Sequence, residues 1–325
     1  MKIRKVEPND INGLVELYEK VWPEVDYDKQ AKTKFILEKS EGVNYCAEEN
    51  GIIVGSRMSY FQNMHYGTKK MCCVEMCDSC VHPSYRGQGL FLSMNKLFLE
   101  EFFSREIGGE LIFNVSAYAS SKAHEKLGWK YICSLMSLRR IQRPWHLFSR
   151  IVFFREKLFR PLVWDKENEE VAIDNELLRI REEWMLHERP LLHIRYDADT
   201  YRWRMKSNSG IKILKNNQLG CLLYKLGHRG VFAEVEIGEV FLYDYKKKNF
   251  RLLLKQFINE IRPDLLTVLV SEGHPLMKWY KDSFFICNPK RKYLRHGVRV
   301  NSEEMKSICY NPKNWAITTL DIDTF

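Results

Sequence analysis

No apolar run in the sequence approaches the roughly 18 residues that a membrane-spanning helix needs. The opening residues, MKIRKVEPND, lack the apolar stretch of a signal peptide. With no secretory signal in view, the nine cysteines read as reduced thiols of a cytoplasmic protein rather than as a disulfide framework. Nor is this the composition of a disordered or fibrous chain, since 45% of residues are hydrophobic and 29% charged. What is present is length: 325 residues, about twice a typical domain of roughly 150, so two domains are expected, each with its own core. The net charge of +9 favours anionic partners without separating nucleic acid, a phosphorylated small molecule and a membrane surface.

Periodicity predicts a strand over residues 2–6 and a helix carrying Ile11, Leu14, Val15, Tyr18 and Val21, closed by Pro23. A more polar helix follows from Tyr27 to Glu38, then strands at Asn44–Glu48, Ile52–Phe61 and Lys70–Val81. A long helix shows an apolar face of Leu90, Met94, Leu97, Phe98 and Phe102, followed by a strand at Leu111–Val115. A short helix ending at Gly128 leads into a final strand, Trp129–Leu138. The second half runs in the same order. Strands at Ile211–Leu214, Leu219–Leu226 and Val231–Tyr243 precede a helix with Phe250, Leu253, Leu254, Phe257, Ile258 and Ile261. Strands at Leu265–Val270 and from Phe284 then flank a short helix near Pro275. The late elements of the halves differ by about 155 residues, which predicts a tandem structural repeat without residue identity. The expected domains are 1–140 and 166–325, joined by a basic aromatic connector over 141–165. From Arg139 to Arg160 there are seven Lys and Arg residues against the single acid Glu156, as an amphipathic membrane-touching helix or a linker packed between domains would have.

Chemistry concentrates at Val81-His82-Pro83-Ser84-Tyr85-Arg86-Gly87-Gln88-Gly89-Leu90-Phe91, where a strand runs into a two-glycine turn and a helix begins at once. Successive backbone N–H groups at such a turn point to one place, where the helix dipole also favours negative charge, so a pyrophosphate fits. The dinucleotide fingerprint fails because its third glycine would fall at Leu92, and no Gly-Lys-Ser/Thr follows for a nucleotide P-loop.

The segment Arg86-Gly87-Gln88-Gly89-Leu90-Phe91, with Val81-His82-Pro83 ahead of it, resembles motif A of the GCN5-related N-acetyltransferase (GNAT) superfamily. Lys126-Leu127-Gly128-Trp129 is similar to that family's later Leu-Gly-Phe signature, and the element order of residues 1–138 fits its fold. One departure is Phe91, where the family usually has Gly or Ala. The resemblance implies an α+β fold of two tandem GNAT-like domains, each a mixed sheet flanked by helices, the second a degenerate copy. It implies acetyl-CoA as co-substrate. Ser79, Cys80 and Val81 would pair with its pantetheine arm, the amides of Gly87, Gln88, Gly89, Leu90 and Phe91 would hold its pyrophosphate, and Arg86 would begin the loop. Asn114 would bond the arm or merely end its strand.

Acetyl transfer to an amine needs a base for the ammonium proton and gains from a donor to the departing thiolate. Glu75 stands 14 positions ahead of Gly89, the offset at which histone acetyltransferases of the superfamily carry their base. An apolar strand would raise its pKa, which suits base work near neutrality, whereas a plain strand glutamate would face outward. Asp78 is the second choice, on the opposite face unless a bulge intervenes. The family's thiolate-protonating tyrosine maps to His124, with Tyr118 as alternative donor. Cys77-x-x-Cys80, with Cys72 and Cys73, suggests zinc or redox chemistry, but a regular strand puts Cys77 and Cys80 on opposite faces and no second ligand pair is near, so buried thiols and no metal are expected. In the second half the matching junction, Val240 to Asn249, has no glycine. Its role would be to wall the acceptor site, with Asp199, Tyr201, Trp203 and Arg204 as site or core residues and Asp321-Ile322-Asp323-Thr324-Phe325 as a solvated tail or a carboxylate source.

The expected activity is acetyl transfer from acetyl-CoA to a small-molecule amine such as an amino sugar, with no DNA partner and no membrane integration. A CoA-binding sensor and aminoacyl transfer from charged tRNA are the rival readings.

Overall fold

The structure is a computed structural model that describes the chain except residues 25–27, 116–117, 145–171, 188, 207–209, 231, 289–291 and 323–325, and except the side chains of Tyr118 and Ala119. Most of the Arg139–Arg160 stretch therefore lies outside the described residues.

The strands read from the first half are there, and they build one seven-stranded sheet with the order β1-β2-β3-β6-β7-β16-β8. These are β1 (Lys2–Lys5), β2 (Tyr45–Glu49), β3 (Ile52–Gln62), β6 (Cys73–Val81), β7 (Leu111–Val115), β8 (Lys130–Ile132) and β16 (His296–Val300). Two short strands, β4 (Met64–Tyr66) and β5 (Lys69–Lys70), stand between β3 and β6 in the chain. Helix α1 (Ile11–Val21) buries Leu14, Leu17 and Tyr18, the face its periodicity predicts. In α2 (Lys29–Glu38) the Asp28 carboxylate accepts from the Ala31 amide at 2.9 Å, an N-cap that fixes where the helix starts. On the other face, α3 (Leu90–Phe102) lays Leu90, Met94, Phe98 and Phe102 against Val54, Val74 and Ile112 of the sheet. Helix α4 (Tyr118–Lys126) precedes β8.

The second sheet has the order β11-β12-β13-β14-β9-β15. Its strands are β9 (Leu135–Ile141), β11 (Ile211–Asn216), β12 (Gly220–Arg229), β13 (Phe232–Leu242), β14 (Leu265–Ser271) and β15 (Ile286–Cys287). With it go α5 (Asn175–Met185), β10 (Leu192–Ile194), α6 (Ala198–Lys206), α7 (Lys247–Ile261) and α8 (Met277–Lys281). The buried face of α7 (Phe250, Leu253, Leu254, Phe257) packs with Leu222, Val235 and Leu266, again as the sequence periodicity predicts. Helix α9 (Glu303–Cys309) follows β16.

The chain parts into two units differently from a single break near residue 140. The first holds 1–65, 69–132 and 295–311; the second holds 66–68, 133–294 and 312–325. Trp129–Leu138, read as one strand, is two. β8 ends at Ile132, and β9 pairs antiparallel with β14 along its whole length, from Leu135↔Ser271 to Ile141↔Leu265. The place beside β7 in the first sheet is taken instead by β16, paired antiparallel from His296↔Val115 to Val300↔Leu111. From β2 and from β11 onward the two sheets follow the same order, and in each the strand next to the parallel pair is distant in sequence: β16 beside β7, and β9 beside β14.

Gly297 is the residue that lets β16 in. A Cβ there would stand 2.6 Å from Asn114 Oδ1 and 2.9 Å from the Tyr131 ring, closer than real contacts allow. Gly297→Ala should therefore destabilise the first unit by about 1–3 kcal/mol, the usual cost of overpacking. Thermal melting checks this, with Gly227→Ala, whose added carbon would meet nothing nearer than 3.9 Å and whose φ is not left-handed, as the comparison for packing.

Candidate functional site

Strand β6 keeps β3 as a neighbour to its end, from Gln62↔Cys73 to Gly55↔Val81, but pairs with β7 only from Cys73↔Leu111 to Glu75↔Phe113. Beyond Glu75 the two parallel strands part, although β7 runs on to Val115. The register on the β3 side slips between Ser56 and Met58, so that Asp78 and Ser79 stand opposite the single residue Arg57. This is a β-bulge, and Asp78 takes φ +33°, a left-handed conformation that an aspartate tolerates better than most residues. Its carbonyl accepts from Ser56 Oγ at 2.9 Å and its carboxylate accepts from Lys32 Nζ of α2 at 3.0 Å, which ties the bulge from both sides.

The bulge corrects two expectations drawn from a regular strand. Cys77 and Cys80 lie opposite Met58 and Ser56, two residues apart on β3, and so share a face instead of opposing one another. Asp78 turns to α2, and so does Glu75, whose Oε2 accepts from Tyr60 Oη and Gln62 Nε2, both at 2.7 Å; the Tyr60 ring meets Phe35 of α2 edge-on. All four cysteines of this strand region are free thiols, and burial raises the pKa of Cys72, Cys73 and Cys80. Among the described residues no cluster of three or more His, Cys, Asp or Glu side chains could hold a metal ion.

After β6 the chain makes one 3-10 turn, Pro83–Tyr85, with the His82 ring accepting from the Ser84 amide at 3.3 Å. Arg86 turns back so that Nε donates to the Val81 carbonyl at 3.3 Å. Gly87 and Gly89 have φ of +81° and +78°, Gly89 caps α3, and space is open above both. Their positive φ values are why glycine is needed here. The exposed Gly87, Gln88 and Gly89 amides at a helix N-terminus fit an anion the size of a pyrophosphate. Leu90 and Phe91 turn inward: Leu90 is buried, and the Phe91 ring sits 5.3 Å from that of His124. Phe91 thus packs into the domain rather than crowding the cradle. Ser79, Cys80 and Val81 run directly into the cradle, and Asn114, buried on β7 opposite Gly297, follows the last residue of β7 that pairs with β6.

His124 is 2% exposed, stacked on Trp129 at 5.0 Å, with Nδ1 3.2 Å from Tyr131 Oη. Burial, with the charge of Arg57 adding to it, pushes its pKa down to about 3, so it is a neutral imidazole at pH 7. Its Nε2 is buried with no hydrogen-bond partner among the described residues. The side chain of Tyr118 lies outside the described part. The residue that sequence reasoning missed is Arg57, fully buried on β3 with its guanidinium carbon 3.4 Å over the Phe98 ring. A charge in the middle of an otherwise apolar predicted strand was its only signal.

In the second unit the register slip recurs: Leu223↔Glu239 and Tyr224↔Ile237 leave Gly238 as the extra residue, and β13 leaves β14 after Ile237↔Val268. Here the chain's own C-terminal segment enters. The Ile317 carbonyl accepts from the Ser271 amide at 2.8 Å, Thr319 Oγ1 accepts from the Leu269 amide at 2.8 Å, and Thr318 Oγ1 donates to Glu239 on β13. The expected solvated tail is thus corrected as far as Ile322. Asp321 is 1% exposed and accepts from Tyr196 Oη at 2.7 Å, because buried hydroxyl and amide groups need it as a partner. Asp323–Phe325 lie outside the described residues. Tyr201, Trp203 and Arg204 are core, Arg204 donating to the Leu320 and Ile322 carbonyls, while Asp199 is exposed beside Arg202. The strand-to-helix junction has no positive φ, and Lys246 caps α7 in extended conformation.

Burial also depresses His296, to about 3, and His274. Unfolded histidines bind protons below about 6.5 while these folded ones do not, so the stability they contribute is complete above that pH and is lost as pH falls from there toward 3. Each should contribute a slope of about 1.4 kcal/mol per pH unit. Melting temperature followed between pH 7 and 4 should fall, and His124→Phe should flatten that fall.

No curated protein matches the chain in sequence. Residues 2–132 match the acetyltransferase (GNAT) domain family. Among solved structures, a GCN5-related N-acetyltransferase from Anabaena variabilis is similar at TM-score 0.63 and 13% identity, over 92% of this chain and 72% of that one. A putative acetyltransferase from Pyrococcus horikoshii is similar at TM-score 0.57 and 13% identity, over 97% and 93%. A protein from Enterococcus faecalis described as a probable N-acyltransferase is similar at TM-score 0.60 and 11% identity, over 92% and 72%. At these identities the likeness is one of fold. The bulged, parted strand and the two-glycine cradle both fall within residues 2–132, the segment that matches the GNAT acetyltransferase domain family, in the first of two sheet-containing halves.

Proposed function

We propose that the protein transfers an acetyl group from acetyl-CoA directly to the amine of a small molecule, an amino sugar being the first acceptor class to try. The observation that carries this is the pairing of an open two-glycine cradle at the start of α3 with a strand edge, Met76 to Val81, that has left β7. The amides of Gly87 to Phe91 would hold the pyrophosphate and the free edge at Ser79, Cys80 and Val81 would pair with the pantetheine amides. Asn114 borders the same opening. Supporting direct transfer, the cysteines of β6 whose shifts are known are thiols with raised pKa, poor nucleophiles at neutral pH.

For the proton of the acceptor ammonium we propose Glu75, which Tyr60 and Gln62 hold in one orientation on the α2 side of the sheet, the side to which Asp78 also turns. His124 suits a packing role better than that of proton donor, since a neutral buried imidazole has little acid to give; Tyr118 remains the proposed alternative. The second unit would bind no CoA, its corresponding opening being occupied by residues 317–319 and its junction lacking glycine.

Calorimetric titration should show one CoA per chain, and Gly89→Val should abolish it, because a branched side chain strains a left-handed cap and covers the amides. Thiol release from acetyl-CoA over a panel of amines should fall about 100-fold or more in kcat/KM for Glu75→Gln with CoA affinity kept. Two CoA per chain would refute the single-site reading. Tight CoA binding with no turnover on a broad panel would make the protein a sensor, and charged-tRNA binding without CoA affinity would make it an aminoacyl transferase.

A further inference from the structure

Arg57 is a fully buried cation with no acid beside it among the described residues. One guanidinium nitrogen, Nη1, donates to the Met58 carbonyl at 2.8 Å, while Nε and Nη2 are buried without a hydrogen-bond partner among the described residues. A buried charge left unpaired costs several kcal/mol, so native folds retain such a group for a reason. The second unit shows the ordinary solution: Arg181, equally buried, donates to Glu239 at 2.9 Å.

The surroundings of Arg57 narrow what it is kept for. Phe91, Asn95 and Phe98 share one face of α3, at i, i+4 and i+7. The Phe98 ring lies under the Arg57 guanidinium and the Phe91 ring lies against His124. Between them Asn95 is buried, its Nδ2 donating to the Phe91 carbonyl at 2.8 Å and its Oδ1 without a partner. Three side chains from three elements thus converge with unmet hydrogen-bonding groups: two nitrogens of Arg57, one of His124, one oxygen of Asn95. They do so beside the bulge, where Arg57 alone faces both Asp78 and Ser79 and where β6 has already left β7. Arg57 stays charged at neutral pH even though burial brings its pKa down to about 9; Cys77 is the one group that pushes it back up.

We propose that Arg57 is the group that takes up the negative charge developing on the coenzyme A sulfur as the acyl group leaves. This rests on the reading of the protein as an acetyl-CoA-dependent enzyme. The acceptor nitrogen forms a bond to the thioester carbonyl carbon, the carbon–sulfur bond breaks, and its electron pair departs with sulfur as thiolate. The ammonium proton goes to Glu75 or to solvent. The neutral thioester leaves Arg57 unpaired and the forming thiolate pairs with it, so the attraction is felt chiefly in the transition state, where it speeds the reaction. A fixed cation then replaces the proton donor that His124, held neutral, does not supply.

The test needs no acceptor. Ultraviolet absorbance of the thiolate, titrated for the protein–CoA complex against the same complex with desulfo-CoA, gives the pKa of the bound thiol. In the wild type it should ionise at least one pH unit below free CoA, a tenfold or greater shift in the equilibrium. Arg57→Met should return it to the free value or above, and Arg57→Lys should keep most of the shift. Both variants should bind desulfo-CoA as wild type does. Arg57→Met should melt no lower than wild type, since an apolar side chain replaces an unpaired charge. Equal thiol titrations in wild type and Arg57→Met, or a large loss of melting temperature in Arg57→Met with Arg57→Lys restoring it, would make Arg57 structural and end the proposal. A tenfold preference for succinyl-CoA over acetyl-CoA that Arg57→Met removes would assign the cation to a carboxylate on the acyl chain instead. If wild type binds neither CoA nor desulfo-CoA, the acetyl-CoA reading itself fails and takes this one with it.

Discussion

A strand that gains one residue against one neighbour cannot stay in step with the neighbour on its other side. That constraint, met at Asp78 and Ser79, organises the first unit. β6 remains with β3 and gives up β7, and a row of peptide groups that a sheet would normally saturate is left available at the point where α3 begins. The same slip brings Asp78 and Cys80 round to the side that Glu75 and Cys77 already share, so that the acidic groups collect on the α2 side while Arg57 lies under α3. Acid on one side of a parted strand and a buried cation on the other is the arrangement that the proposed transfer, a proton off an amine and an electron pair onto sulfur, would use.

Most of the elements were legible in the sequence, because β3, β6, α3 and α7 carry their patterns locally. The loop was legible for the same reason: Gly87 and Gly89 are needed at positive φ whatever the rest of the chain does. What was not legible depends on partners distant in sequence. The last strand expected from the sequence starts at Phe284, and nothing local marks His296–Val300 as a strand that pairs with Leu111–Val115, nearly two hundred residues earlier. The facing of Cys77 and Cys80 follows from a slip of one residue, and strand alternation gives the wrong answer wherever such a slip occurs. Arg57 drew no attention in the sequence because burial of a charge is a tertiary outcome. Asp321 looked like tail because its partner Tyr196 stands 125 positions away.

The two units use one plan to opposite ends. Each has a parallel pair that parts at a bulge, at Asp78 in one and at Gly238 in the other. In the first the opening is bordered by free backbone and an open cradle, with the buried Arg57 opposite the bulge. In the second it is closed by residues 317–319, and the arginine has its glutamate. The second thus fills, with its own chain, the place that the first leaves open.

The crossing of strands has a further consequence for how the molecule is made. The first sheet lacks its sixth strand until residues 296–300 exist, and until then β7 and β8 have no strand between them. A nascent chain that has emerged through residue 140 therefore holds most of a domain but cannot finish it, and β9, already synthesised, waits for β14. Folding is tied to near-complete translation, with long loops closed late and an unpaired edge exposed meanwhile, conditions that make assembly slow and give chaperones a defined surface to hold. The unit with the cradle is the first to be synthesised and among the last to be complete.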